Sequence, residues 1–287
     1  MIRNKPTFPF ETIGVAVAFS PRLEAILYEV KNLANLFESR VVFIHAGKQT
    51  DEKTEYLDDL TRKLEFNKDR CTFVFRDGDA AEVILEESKE HIVDLLIAGA
   101  LEKESLLRYY IGSVSREICR KAKCSVLMLT EPSTNSTRFE KIVVGGIDHP
   151  KTANTIRTAI YFANHTGAKK IDIVKELDLP SLSMSVSDQP TKESSQNIKD
   201  KFFEEEKQKL DEMISGIDPC GINLEVHHEW GKSGFVISEF ARKIEADLVV
   251  INSADTAPTL LDRIFTHDME FILANIPCNL LIVHTRE

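Results

Sequence analysis

Two glycines thirteen residues apart, Gly99 and Gly112, mark the stretch whose residue types best suggest chemistry. Gly99 closes the apolar run Leu95-Leu96-Ile97-Ala98, which has no polar alternation and reads as a parallel strand covered on both faces. A loop of about a dozen residues then leads to Gly112-Ser113-Val114, the expected start of a helix with Ser113 as N-cap and Val114, Ile118 and Ala122 on one face. A helix N-terminus behind a glycine, at the carboxyl end of a parallel strand, is an anion site. Its free N–H groups and dipole favour phosphate. Gly99, Gly112, Ser113 and Val114 are therefore the candidate nucleotide-binding residues, with Lys103 and Arg108 as the cations of the intervening loop.

Other constellations are weaker. Gly231-Lys232-Ser233 has the tail of a phosphate-binding loop, but the glycine required five residues earlier is Val226, so the sequence predicts a turn opening a helix. Eight histidines are scattered without zinc-type spacing, and His227-His228 point to opposite faces of a strand, so no metal site is expected. No nucleophile–base pair stands out, and neither Ser20 nor Ser113 lies in a G-x-S-x-G elbow.

Composition narrows the class. Length 287 favours two domains, and the net charge of −10, split −3 and −7 about residue 137, argues against nucleic acid as a partner. No apolar run approaches the length of a membrane span, and residues 1–12 have no signal-peptide character. Five cysteines without a C-x-x-C pair read as free thiols of a reducing cytoplasm.

The elements that position the glycines alternate strand and helix. Thr12 to Ala18, Arg40 to Ala46, Cys71 to Arg76, Leu95 to Ala98 and Ser125 to Leu129 read as strands. The helices between them begin at Ser20-Pro21, Thr50, Ala80 and Gly112. The order then repeats. Pro150 and Ala163-Asn164 stand to Pro21 and Ala34-Asn35 at an offset of 129, Asp247 to Asp94 at 153, and Leu260-Leu261, Ile272, Cys278 and Leu281 to Leu106-Leu107, Ile118, Cys124 and Leu127 at 154. This is a duplicated unit. Glu131 to Arg138 is the linker, giving domains 1–137 and 138–287, and Leu177 to Ser195 is a long polar insertion.

The stretch from Gly99 resembles the nucleotide-binding motif G-x2-G-x9-G-[ST] of the universal stress protein family. Gly99, Gly112 and Ser113 keep its spacing, while Glu102 replaces the middle glycine. The opening strand resembles the family's V-x-V-D-x-S as Val15-Ala16-Val17-Ala18-Phe19-Ser20, with Ala18 in place of the base-contacting Asp. Glu102 sets an anion near the phosphates at a cost of about 1–4 kcal/mol. In the second domain Asn252-Ser253-Ala254-Asp255 and Thr266-His267 stand where the glycines belong, and Asp148 lies one place beyond the base-contacting position.

The resemblance implies two tandem Rossmann-like (adenine nucleotide alpha hydrolase-like) domains. Each would hold a five-stranded parallel sheet of order 3-2-1-4-5 with helices on both faces. They would pack as an internal pseudo-dimer near Ser125 to Thr130 and Asn279 to His284, with a homodimer as a further assembly. It implies a cytoplasmic stress-response module that binds or senses, with ATP or AMP as ligand of domain 1 and a degenerate domain 2. A slow ATPase on the same fold and a binder of a non-nucleotide ligand are the alternatives.

Overall fold

A computed structural model describes residues 7–103, 108–110, 112–135, 139–177, 192–253, 269–274 and 276–284. The first half runs β1 (Thr12–Ala16), α1 (Leu23–Leu36), β2 (Arg40–Ala46), α2 (Asp51–Lys63), β3 (Cys71–Arg76), α3 (Ala80–Glu90) and β4 (Leu95–Gly99). It continues with β5 (Leu101–Lys103), β6 (Arg108–Tyr110), α4 (Ser113–Lys121) and β7 (Ser125–Leu129). The second half follows as β8 (Lys141–Gly145), α5 (Thr152–Thr166), β9 (Lys170–Leu177), α6 (Lys192–Ser215), β10 (Asn223–Trp230), α7 (Phe235–Ile244), β11 (Leu248–Asn252), a helical turn over 269–274 and β12 (Asn279–Val283).

Each half has the expected 3-2-1-4-5 strand order, but the two sheets are not separate. They form one ten-stranded sheet, β10-β9-β8-β11-β12-β7-β4-β1-β2-β3. Every pairing in it is parallel except β12 with β7, which run antiparallel with Leu281 opposite Leu127. Those two strands are entirely buried, as a strand at the middle of a covered sheet must be.

Two apolar layers cover the sheet. Ile13, Val15, Leu95, Ile97, Leu127, Leu129, Val144, Val250, Leu281 and Val283 share a core with α1, α2 and α5. The alternate residues Leu96, Ala98, Val126, Met128, Val143, Val249, Leu280 and Ile282 pack with α3, α4, α7 and residues 269–276 on the other face. An aromatic cluster ties the halves on the first face: Phe37 at the end of α1 stacks on Tyr161 of α5 at 5.6 Å, with Phe10 edge-on to both.

Local chemistry sets most helix starts. Thr50 caps α2 by accepting from Lys53 N, and Asp79 caps α3 by accepting from Ala81 N and Glu82 N. Three expectations are corrected. Ser20-Pro21 precede α1 rather than lying in it: Leu23 N bonds Ser20 O, and the helix starts only after Arg22. The stretch after Gly99 is not an open loop but a two-stranded ribbon, Glu102 opposite Tyr109. Ser113 is the first residue of α4, and Gly112 takes the N-cap position, where it has no side chain to offer. Leu106-Leu107, Leu260-Leu261 and most of the 177–195 insertion lie outside the described residues.

Candidate functional site

β4 delivers Gly99 to the carboxyl edge of the first half's sheet, beside β1 and β7. A methyl group there would stand 2.9 Å from Ile26 Cδ1, so a larger residue at Gly99 would make the end of the Ile26 side chain shift. Gly112 is extended (φ −63°, ψ 167°) and leads into α4, with Ser113 and Val114 exposed. Val114 is thus on the open side of α4, while Ile118 and Cys119 are the residues it buries. The helix has neither a side-chain cap nor an acidic residue in its first turn, and its last turn carries Arg120 and Lys121. Its dipole is complemented at the C-terminus, while at the N-terminus the helix supplies neither a cap nor a carboxylate of its own.

Arg22 crosses this edge. Its guanidinium donates to the carbonyls of Ala100, at 2.6 Å, and Thr130, pinning the ends of β4 and β7 to α1. At the ends of β1 and β2 a group of side chains gathers around His45. His45 bonds Val17 O through Nδ1 at 3.0 Å and meets Lys53 Nζ with Nε2 at 3.1 Å. The Phe19 ring stands edge-on to His45 at 4.8 Å, with Tyr56 beside it and Lys53 Nζ 5.6 Å from its centre. Phe19 and Tyr56 are 36% and 46% exposed. These rings and the cation over Phe19 sit next to Ala18, where the family motif has a carboxylate. The aromatic following Ala18 was the sequence signal for this group.

The second half is built differently at the same edge. Asp148 is held by Lys209 at 3.4 Å, and Lys209 also binds Glu206 at 2.7 Å. Glu206 in turn holds the buried Lys175 at 2.6 Å. Burial works against the Glu206 charge, but hydrogen bonds from Lys175 and Lys209 outweigh it and keep its pKa below the usual carboxylate range. Asp148 is therefore part of an ion network. Thr266-His267 and Asp255 lie outside the described residues.

The turn at Gly231 already holds an anion, and it is internal. Glu176 accepts from Ser233 Oγ (2.8 Å), Gly234 N (2.9 Å) and Ile237 N (3.0 Å) at the start of α7. Gly231 itself sits at φ +153° with Val236 directly behind it, a place for glycine alone. Among the described residues, Asp172, Glu225 and His227 bring ligand-type atoms within 4.8 Å of one another. Lys170 Nζ sits on both carboxylates, at 2.9 and 3.2 Å, and His227 Nε2 on Asp172 at 2.7 Å. Lys170 thus holds both carboxylates from within the chain.

A doubly wound α/β unit, present twice and joined edge to edge in one sheet, defines a tandem Rossmann-like protein. The sequence profile of the universal stress protein family matches residues 9–130 and 138–284, and the chain belongs to that family. A universal stress protein of Synechocystis is 24% identical over 91 residues, which span 32% of this chain and 59% of that protein's own length. Among solved structures, a putative universal stress protein of Pseudomonas aeruginosa shares 17% identity (TM-score 0.71, 96% of this chain and 94% of that one). One from Archaeoglobus fulgidus shares 14% (TM-score 0.67, 98% and 100%). These likenesses show the fold. No helix among the described residues is long and apolar enough to cross a membrane.

Proposed function

We propose that the chain is a cytoplasmic stress-response module that works by binding rather than turnover, with ATP or AMP as ligand of its first unit. The observation that carries this is the start of α4. It has no side-chain cap and no acidic first turn, and its first two residues are exposed. Gly99, Gly112, Ser113 and Val114 are the residues proposed to receive the phosphates, through backbone N–H groups and the Ser113 hydroxyl. Phe19, with Tyr56 and Lys53, is proposed to take the base by stacking in place of the carboxylate that Ala18 lacks.

The reading divides the chain into units 1–137 and 138–287. The second has lost the glycines of the motif, and its Asp148 is engaged by Lys209. Because β7 and β12 are paired with each other, a homodimer would have to use another surface, such as the outer strands β3 and β10.

The test is mass spectrometry of small molecules released on denaturation, followed by calorimetry with ATP and AMP on the chain and on Gly112→Val. Gly112 has a backbone conformation open to any residue, and a circular dichroism melt of Gly112→Val checks that the variant keeps the fold. About one equivalent of ATP or AMP, with affinity lowered tenfold or more in Gly112→Val, supports the reading. A well-folded chain that neither carries nor binds adenine nucleotide overturns it.

A further inference from the structure

Phe19, His45 and Lys53 meet where β1 and β2 end, and each half of the chain builds this corner differently. By the repeat offset of 129, the second half's counterpart of Phe19 is Asp148. The strand registers pair Ile13 with Val41 and Ile142 with Ile171, so Lys175 stands where His45 does. In the second half the lysines of the corner have carboxylates: Lys175 is on Glu206 at 2.6 Å, and Lys209 is on Glu206 and Asp148. In the first half Lys53 has no carboxylate among the described residues. Its ammonium bonds His45 Nε2 at 3.1 Å and Lys48 O at 3.3 Å.

The other side of the His45 ring fixes its role. Nδ1 lies 3.0 Å from Val17 O, and a carbonyl only accepts, so Nδ1 carries the hydrogen and Nε2 offers a lone pair to Lys53. An ammonium has three N–H donors, and His45 and Lys48 take two of them. The third has no hydrogen-bond acceptor among the described residues, on a nitrogen 5.6 Å from the centre of the Phe19 ring. Phe19 is 36% exposed, which leaves ring surface for a flat ligand beside that donor. The corner shares an edge with the glycines: Arg22, three residues after Phe19, donates to Ala100 O, one residue past Gly99.

A carboxylate in the place of Ala18 would accept from an amino group on a base. Lys53 only donates, and the carbonyls of Val17, Ala18 and Lys48 already accept from His45, Ser20 N and Lys53. The polarity of the contact is reversed. We propose that Lys53, aimed by His45, reads the base of the nucleotide as a donor, so that the first half selects a ring by its lone pairs, such as a 6-keto oxygen or a ring nitrogen, and does not read the amino group of adenine. Lys53 is then a specificity-determining residue and His45 a positioning residue. The proposal rests on the reading of the first half as a nucleotide site with Phe19 under the base; adenine nucleotides still bind, through their ring nitrogens.

The experiment is calorimetry of the full chain with AMP and with inosine monophosphate, which differ in the base only by an amino or a keto group at position 6 and the hydrogen that goes with it. The keto nucleotide should bind at least as tightly as AMP. Lys53→Met, of similar length and helix propensity, should weaken the keto nucleotide about tenfold and AMP less. His45→Phe should move the ratio of the two affinities the same way, while His45→Gln, which keeps an acceptor for Lys53, should hold it; a merely structural role for His45 would lower both affinities and leave the ratio alone. Ala18→Asp, at an exposed position, should turn the preference toward AMP and keeps the test decisive if the His45 variants do not fold. AMP binding more tightly than the keto nucleotide, or a keto-nucleotide affinity that Lys53→Met leaves unchanged, overturns the proposal and leaves the nucleotide reading standing. Binding of neither compound by the folded chain overturns both.

Discussion

Arg116 and Glu270 occupy the same position in the two halves, and they are ion-paired with each other: Arg116 Nη1 lies 2.7 Å from Glu270 Oε2. Their separation of 154 residues is the repeat offset that also relates Ile118 to Ile272 and Leu127 to Leu281. Leu127 and Leu281 face each other in the antiparallel pairing, so the pseudo-twofold axis passes between them. In a true homodimer the residue at this position would meet its own copy, and like charges would collide. Duplication allowed one copy to be Arg and the other Glu, and Arg120 adds a second contact to Glu270 at 2.6 Å.

Glu270→Ala should therefore cost about 1–2 kcal/mol, allowing for partial exposure of the pairs. Glu270→Arg should cost more, because three cations then converge. The swap Arg116→Glu with Glu270→Arg should recover part of the loss. Urea unfolding of the four species in a double-mutant cycle measures the coupling; additivity of the two changes would remove any role for the pair.

Glu102→Gly should raise the ATP affinity of the first half, because it restores the middle glycine of the motif and removes an anion worth about 1–4 kcal/mol near phosphate. Calorimetry reads this directly, and unchanged affinity would show that Glu102 lies away from the ligand.

Glu176→Ala should destabilise the chain by about 1–2 kcal/mol, since the carboxylate satisfies two backbone N–H groups and one hydroxyl at the start of α7. Glu176→Gln should cost less, because it keeps one acceptor oxygen. Equal melting temperatures for all three proteins would contradict the assignment.

His284 gives the chain an acid sensitivity. Burial above all, with the charge of Lys151 adding to it, pushes its pKa down to about 3. Between the ordinary histidine value near 6.5 and that value, the unfolded chain binds a proton that the folded chain does not. Stability conferred by the neutral ring is thus complete above about pH 6.5 and falls by about 1.4 kcal/mol per unit as the pH drops toward 3. His284→Gln should flatten the curve of unfolding free energy against pH by that slope. A slope unaltered by the substitution would place the sensitivity elsewhere.

The thiols should divide sharply in reactivity. Burial pushes Cys71 up to about 11 and Cys119 and Cys278 up to about 12, and Cys124 is also buried, whereas Cys220 is exposed. Titration with a disulfide reagent at pH 8 should show one fast thiol per native chain and five after denaturation. Loss of the fast phase in Cys220→Ser identifies it.

The alternation of strands and helices and the duplication were legible because they rest on short-range pattern, whereas the 3-2-1-4-5 order came with the family resemblance. Runs such as Leu95-Leu96-Ile97-Ala98 and Leu248-Val249-Val250-Ile251 can only be covered strands, and alternation with helices leaves few topologies. The glycine motif was legible as spacing. The cap at α4 was misread by one residue, because Gly and Ser compete for that position and only backbone geometry decides between them.

What the sequence determined by itself is the pair of α/β units and the family they belong to, since hydrophobic period and glycine spacing act within about 150 residues of chain. What only the tertiary structure decided is which groups meet. Arg116 on Glu270, Glu176 on the start of α7 and Phe19 on His45 come from different elements. Electrostatics and hydrogen bonding depend on distances of a few ångströms, and those are set by how the sheet and helices pack rather than by any local run of residues.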